Sequence, residues 1–235
     1  MPNILVIDTS TEACSVALQV GDVIYSDYKV APRQHGELVL PMVDSLLKQA
    51  QIQLTDLDVI GYGQGPGAFT GLRICISIVQ GLAYGASVPV VGVSSLQAMA
   101  QAAYRTTGDK YILSAIDARM GEVYWAVYQL EDGLMTLVGP EEVAEPESVT
   151  IEQLDTSNIY RAVGSGWQTY PDQLAQRSGV SLVIEEQVSF PSAEQMLPWV
   201  ANQFSNGLAL DAERAQPVYL RNNVAKKVAE QGQPG

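Results

Sequence analysis

The chain has 235 residues, 47% of them hydrophobic, enough to fill one sizeable domain or two small lobes. Thirteen Lys and Arg against 26 Asp and Glu give a formal charge of −13, with Lys226 and Lys227 the one adjacent basic pair. Neutralising phosphates takes clustered Lys and Arg, so a free-standing nucleic-acid-binding role is not expected, and any RNA contact needs a partner's positive surface.

Three strand-like segments open the chain, Ile4 to Asp8, Ser15 to Val20 and Val23 to Val30, with a tight turn at Gly21 and Asp22 that predicts an antiparallel meander. A helix is expected from about Glu37 to Gln51, where Val39, Met42, Val43, Leu46, Leu47 and Ala50 recur at helical spacing. Pro41 fits only its first turn or a kink. A strand from Leu57 to Gly63, a helix from about Thr70 to Tyr84 and a strand from Pro89 to Val93 follow, then a short helix whose start carries the capping-box pair Ser94 and Gln97.

Three meandering strands followed by alternating helix and strand is the order of the ribonuclease H-like (actin-like ATPase) fold, an α/β class with mixed sheets flanked by helices. After Gly108 the pattern partly restarts. Strands are read at Tyr111 to Asp117, Glu122 to Leu130, Leu134 to Val138, Tyr160 to Val163 and Leu182 to Glu185. Short helices are read around Ile151 to Leu154 and near Tyr170 to Gln176. A last helix follows Phe190, with Ser192 and Gln195 as its cap and Asn206 and Gly207 as its stop. The expected organisation is an N-terminal lobe at 1–106 and a smaller second lobe at 107–191. A C-terminal helix and strand at 192–221 pack back on both, ahead of a frayed tail at 222–235.

No apolar run approaches the roughly 18 to 20 residues that span a bilayer, and the N-terminus has no signal-like pattern, so a cytoplasmic protein without membrane contact is expected. Cys14 and Cys75 read as buried thiols. His35 is the one histidine, which leaves too few ligands for a two-histidine zinc motif and reads as a helix start or a surface residue. Asp117 and Arg119, with Glu122, read as a polar cluster in which an internal Asp–Arg pair shapes a turn.

Two features carry candidate chemistry. Asp8, Thr9 and Ser10 end a buried strand, and Gly65 and Gly67 lie in the glycine-rich loop from Gly63 to Gly71 before a helix start. Together they could cradle a nucleotide's phosphates, or the hydroxyls could simply bond their own turn. The loop has no lysine and so is not a Walker-type phosphate loop. The helix after it has two apolar surfaces, Leu72, Ile76, Val79 and Ala83 on one and Ile74, Cys75, Ile78 and Leu82 on the other, the second interspersed with Gly71, Gly81 and Gly85. One face suffices for a helix in the outer layer of a sheet. The second predicts a partner, through a patch of Leu40, Val43, Leu47, Ile74, Ile78 and Leu82 shared with the preceding helix.

The runs ILVIDTSTEACSVAL, RQHGELVLPMVDSLL, GQGPGAFTGLR followed by GLAYG, VPVVGVSSLQAMA, DARMGEVYWAVY and PVYLR resemble the bacterial TsaB family, also called YeaZ, from residue 4 to about residue 221. The resemblance implies a two-lobed, non-catalytic partner of TsaD in threonylcarbamoyl modification of the adenosine beside the tRNA anticodon. TsaC supplies the activated group and TsaE assists. The histidine pair with which TsaD binds metal corresponds to Ser95 and Met99, so no metal site and no independent transferase activity are expected. The resemblance also implies homodimers through the first two helices, the surface used for TsaD, with tRNA reached indirectly through the complex. No cofactor is required, and only weak or vestigial ATP or ADP binding is expected at Asp8, Thr9, Ser10, Gly65 and Gly67. The alternative is an autonomous actin-like ATPase or small-molecule kinase using those residues.

Overall fold

A computed structural model describes residues 1–152 and 154–221. β1 (Ile4–Asp8), β2 (Ala13–Val20) and β3 (Val23–Val30) form the antiparallel meander, with Gly21 at φ 58° in the two-residue turn. The chain continues through α1 (His35–Ala50), β4 (Val59–Gly65), α2 (Phe69–Ala86) and β5 (Val90–Ser94). β4 pairs in parallel with β1 and with β5, giving the sheet order β3-β2-β1-β4-β5.

Every residue of β1 is buried because both faces of this sheet are covered. Leu5 and Ile7 pack with α1 and α2, while Ile4 and Val6 pack with α6 (Ala193–Ser205) on the other side. α3 (Ser95–Thr107) leads to the second sheet, made of β6 (Tyr111–Arg119), β7 (Glu122–Glu131), β8 (Leu134–Ala144), β9 (Ile159–Val163) and β10 (Ser181–Glu185).

Its order, β10-β9-β6-β7-β8, read from the opposite edge repeats the first sheet: a meander, then two parallel strands added beside its opening strand. Both sheets thus follow the ribonuclease H-like order. One face of the second sheet buries Trp125 against Trp167 of α4 (Ser165–Thr169) and Leu174 of α5 (Pro171–Ser178). The other packs on Leu96, Met99, Ala100 and Ala103 of α3, which joins the two halves because its Ala98 belongs to the first core.

Several local expectations change in the fold. α1 starts two residues before the expected Glu37, so Pro41 lies past the first turn, exposed, where water can reach the Glu37 carbonyl that it leaves unbonded. Ser94 caps α3, accepting from Leu96 N–H at 3.1 Å and Gln97 N–H at 3.3 Å. The box does not close, because the Gln97 amide donates to the Met135 carbonyl at 2.9 Å instead. Ser192 likewise makes no side-chain cap; the Ala193 N–H donates to Ser15 Oγ at 2.9 Å, a partner in another element.

β8 runs past Val138 to Ala144 rather than stopping before Pro140. It is an edge strand, and its register against β7 jumps from Val127↔Val138 to Trp125↔Glu142, leaving Gly139–Glu141 in a bulge with Gly139 at φ 78°. Among the described residues no helix forms around 151–154, and 217–221 form no strand, though Val218 N–H donates to the Gln64 carbonyl at 2.8 Å. The tail expected at 222–235 lies outside the described residues.

Candidate functional site

The turn after β1 and the loop before α2 meet in the interior. Asp8, Thr9 and Ser10 are fully buried. Asp8 accepts from Ser10 through the backbone N–H at 3.4 Å and the hydroxyl at 3.2 Å, Ser95 Oγ donates to Ser10 Oγ at 2.8 Å, and Thr9 Oγ1 donates to the Gly71 carbonyl at 2.8 Å. The Ala68 N–H, near the start of α2, donates to the Ser10 carbonyl at 2.7 Å. Burial raises the Asp8 carboxyl to about 6, partly offset by the bonds from Ser10.

Three glycines of the loop are explained by this contact. A Cβ on Gly67 would lie 2.1 Å from the Ser10 carbonyl oxygen, one on Gly71 2.0 Å from that of Thr9, and one on Gly63 1.8 Å from Asp8 Oδ1. Gly65 takes φ 103°, a left-handed angle that favours glycine. The close approach of this backbone is therefore to the chain's own β1 turn. A similar close approach occurs in the second half, where a Cβ on Gly164 would fall 2.3 Å from the Ala115 carbonyl oxygen in the middle of β6.

A cleft of about 240 Å³ opens beside Ser10 and Gly67, walled by Phe69, Tyr219, Arg119 and Arg221. Arg119 forms the expected turn pair with Asp117 at 2.8 Å and also reaches Glu12 of the first half at 2.8 Å. Arg221 pairs with Glu122, so all three residues of that cluster carry ion pairs. Tyr219 stacks on Phe69 with ring centroids 5.5 Å apart, and Arg73 lies 3.9 Å from the Phe69 ring centroid. Phe69, Tyr219 and Arg221 were not singled out by sequence reasoning. Phe69 and Tyr219 meet across 150 positions of chain, and no local pattern couples them.

The outer face of α1 and α2 is the second candidate. Leu72, Ile76, Val79 and Ala83 are buried against the first sheet, worth roughly 1.5–3 kcal/mol for each large aliphatic side chain. Leu40 is 48% exposed, and Leu47, Ile74, Ile78 and Leu82 are half-buried on the outside. Two residues assigned to this surface lie elsewhere. Val43 is 3% exposed and supports the patch from beneath, and Cys75 is fully buried, its thiol donating to the Ile7 carbonyl at 3.2 Å. Gly71 also faces inward, onto Thr9, whereas Gly81 and Gly85 have open space where a Cβ would stand.

α2 is 18 residues long with mean hydropathy 1.2, so by length and composition it could cross a membrane, contrary to the reading that no run comes close. Here its inner face packs on a sheet. His35, expected as a cap or surface residue, is 7% exposed at the start of α1, and its buried Nε2 has no hydrogen-bond partner among the described residues.

A family model described as "TsaD: tRNA N6-adenosine threonylcarbamoyltransferase" matches residues 22–229. The chain is 48% identical over 225 residues to the tRNA threonylcarbamoyladenosine biosynthesis protein TsaB of Escherichia coli (strain K12), covering 95% of this chain and 96% of the relative. The chain belongs to the TsaB (YeaZ) family. A second TsaB, from Haemophilus influenzae, is 36% identical over 232 residues, 95% of each chain. The solved structure of YeaZ from Pseudomonas aeruginosa superposes with a TM-score of 0.87 at 44% identity, covering 94% of this chain and all (100%) of that one.

Ser95 and Met99, which the TsaB resemblance sets against the TsaD histidine pair, are both fully buried. Ser95 is spent on Ser10, and Met99 is a core residue beside Gly164. Among the described residues no group of three or more His, Cys, Asp or Glu is placed to hold a metal ion.

Proposed function

We propose that this chain is a non-catalytic subunit of tRNA threonylcarbamoyladenosine biosynthesis that binds TsaD through the outer face of α1 and α2 and holds it in an active arrangement. The pathway follows from the family. The observation that carries the finer reading is the contrast between the two candidates: the Asp8 turn is buried and hydrogen-bonded within its own chain, while Leu40, Ile74, Ile78 and Leu82 form an apolar face that no other element covers among the described residues. In this reading TsaE joins the assembly, tRNA is reached through the complex, and a homodimer uses the same helices. An interface of this kind buries about 800 Å² per partner, its apolar centre dominating affinity.

Ile78→Glu strands a charge at that centre and is expected to weaken TsaD binding at least tenfold in a calorimetric titration, with the far-UV dichroism of the isolated chain unchanged. A folded variant that binds TsaD like the wild type overturns the assignment. No cofactor is required in this reading. One observation favours an autonomous ATPase instead, the carboxyl of Asp8 held in the interior at an energetic cost. Calorimetry with ATP and Mg²⁺ separates the two, since turnover that disappears in Asp8→Ala supports the ATPase.

A further inference from the structure

A second pocket, of about 560 Å³, shares no lining residue with the cleft beside Ser10. It is assembled from three parts of the fold: Gln64 and Ser94 from the first sheet, Tyr128 and Glu141 from the second, Trp199 and Gln203 from α6. The bulge in β8 delivers Glu141 there, a known use of bulges, which re-aim a side chain at the end of a regular ladder. Tyr128 Oη donates to Glu141 Oε1 at 2.6 Å, and Ser94 Oγ donates to the same oxygen.

The second oxygen, Oε2, accepts no hydrogen bond among the described residues. No Lys or Arg lines the pocket, and none pairs with this carboxylate among the described residues. Burial raises the Glu141 pKa, against the pull of its two hydroxyl donors. Glu141 is partly buried, and a carboxylate with one oxygen open to the pocket is best matched by an opposite charge. An anionic ligand would be repelled, and a neutral one would leave the charge unpaired. The wall beside it includes an indole, whose face attracts cations.

We propose that this pocket binds a cationic nitrogen group, an ammonium or guanidinium, paired with the free oxygen of Glu141 and bordered by Trp199. The group belongs either to a small free amine or to a Lys or Arg side chain of a partner protein. The reading is independent of how the chain contacts TsaD, because the residues of the two surfaces do not overlap.

The test is a titration of the full chain followed by the indole N–H resonance of Trp199, assigned with Trp199→Phe. Agmatine serves as the small cation and a blocked Gly-Arg-Gly peptide as the side-chain source, each against sodium chloride at matched ionic strength. A saturable shift of Trp199 is expected, with Trp125 and Trp167, each 1% exposed, unmoved as internal references. Tighter agmatine binding identifies a small molecule, tighter peptide binding a protein side chain. Glu141→Gln keeps an acceptor for Ser94 and Tyr128, so a purely structural role survives it, whereas binding is expected to weaken at least tenfold. The proposal is overturned if neither probe gives a saturable shift, or if Glu141→Gln binds like the wild type. Should that variant fail to fold, the wild-type titration against sodium chloride decides alone.

Discussion

Gly71→Ala is expected to destabilise the fold by about 3 kcal/mol or more, the upper range for overpacking a tight interior. The added methyl would stand 2.0 Å from the carbonyl oxygen of Thr9, and that oxygen is backbone, fixed in a fully buried turn. Relief requires α2 to lift away from the β1 turn, which would stretch the bond from Thr9 Oγ1 to the Gly71 carbonyl and the bond from Ala68 to Ser10. Gly67→Ala has the same sign for the same reason, with 2.1 Å to the Ser10 carbonyl oxygen. The control lies in the same helix: Gly81 has nothing within 4 Å of where a Cβ would stand, so Gly81→Ala is expected to stabilise by about 0.5–1 kcal/mol through helix propensity alone. Urea unfolding of the three variants checks this. A cost below about 1 kcal/mol for Gly71→Ala would mean that the loop does not rest on the turn.

Asp8→Asn is expected to stabilise the fold by about 3 kcal/mol at pH 8 and by little at pH 4. The carboxyl titrates near 3.8 in the unfolded chain and near 6 when buried, so between those values the native state binds more protons than the unfolded one. Stability therefore falls as pH rises through that window, the reverse of a salt-bridged carboxylate. The contribution is intact below about pH 3.8 and lost above about pH 6. Asn removes the charge while keeping an oxygen that can accept from Ser10. The check is the difference in unfolding free energy between the two proteins from pH 4 to pH 8, in which groups common to both cancel. A difference that does not change with pH would show that Asp8 is not desolvated.

Much of the architecture was legible because it rests on local signals. The Gly21–Asp22 turn, the short apolar run Ile4 to Ile7 and the helical spacing of Leu72, Ile76, Val79 and Ala83 each act over a few residues. The restart after Gly108 was legible for the same reason, and the second sheet repeats the order of the first. Caps were less legible. Ser94 caps as its position suggests, but Ser192 does not, and the first N–H of α6 is met instead by Ser15 Oγ from 178 residues away. β8 was read too short because Gly139 and Pro140 look like a stop, whereas an edge strand tolerates a proline and a bulge absorbs the extra residues.

In the candidate sites the division is sharper. Sequence alone determined the element order and the existence of a two-faced helix, which residue spacing carries, and the family resemblance, which the matching runs carry. Only the tertiary structure decided what the glycines touch, that Val43 and Cys75 lie in the core, and that Glu141 reaches Ser94 and Tyr128. Each of those outcomes depends on a partner far along the chain, Thr9 meeting Gly71 across 62 residues and Ser94 meeting Glu141 across 47. A glycine pattern states that something comes close; the packing of two distant segments determines that Gly63, Gly67 and Gly71 close on the β1 turn.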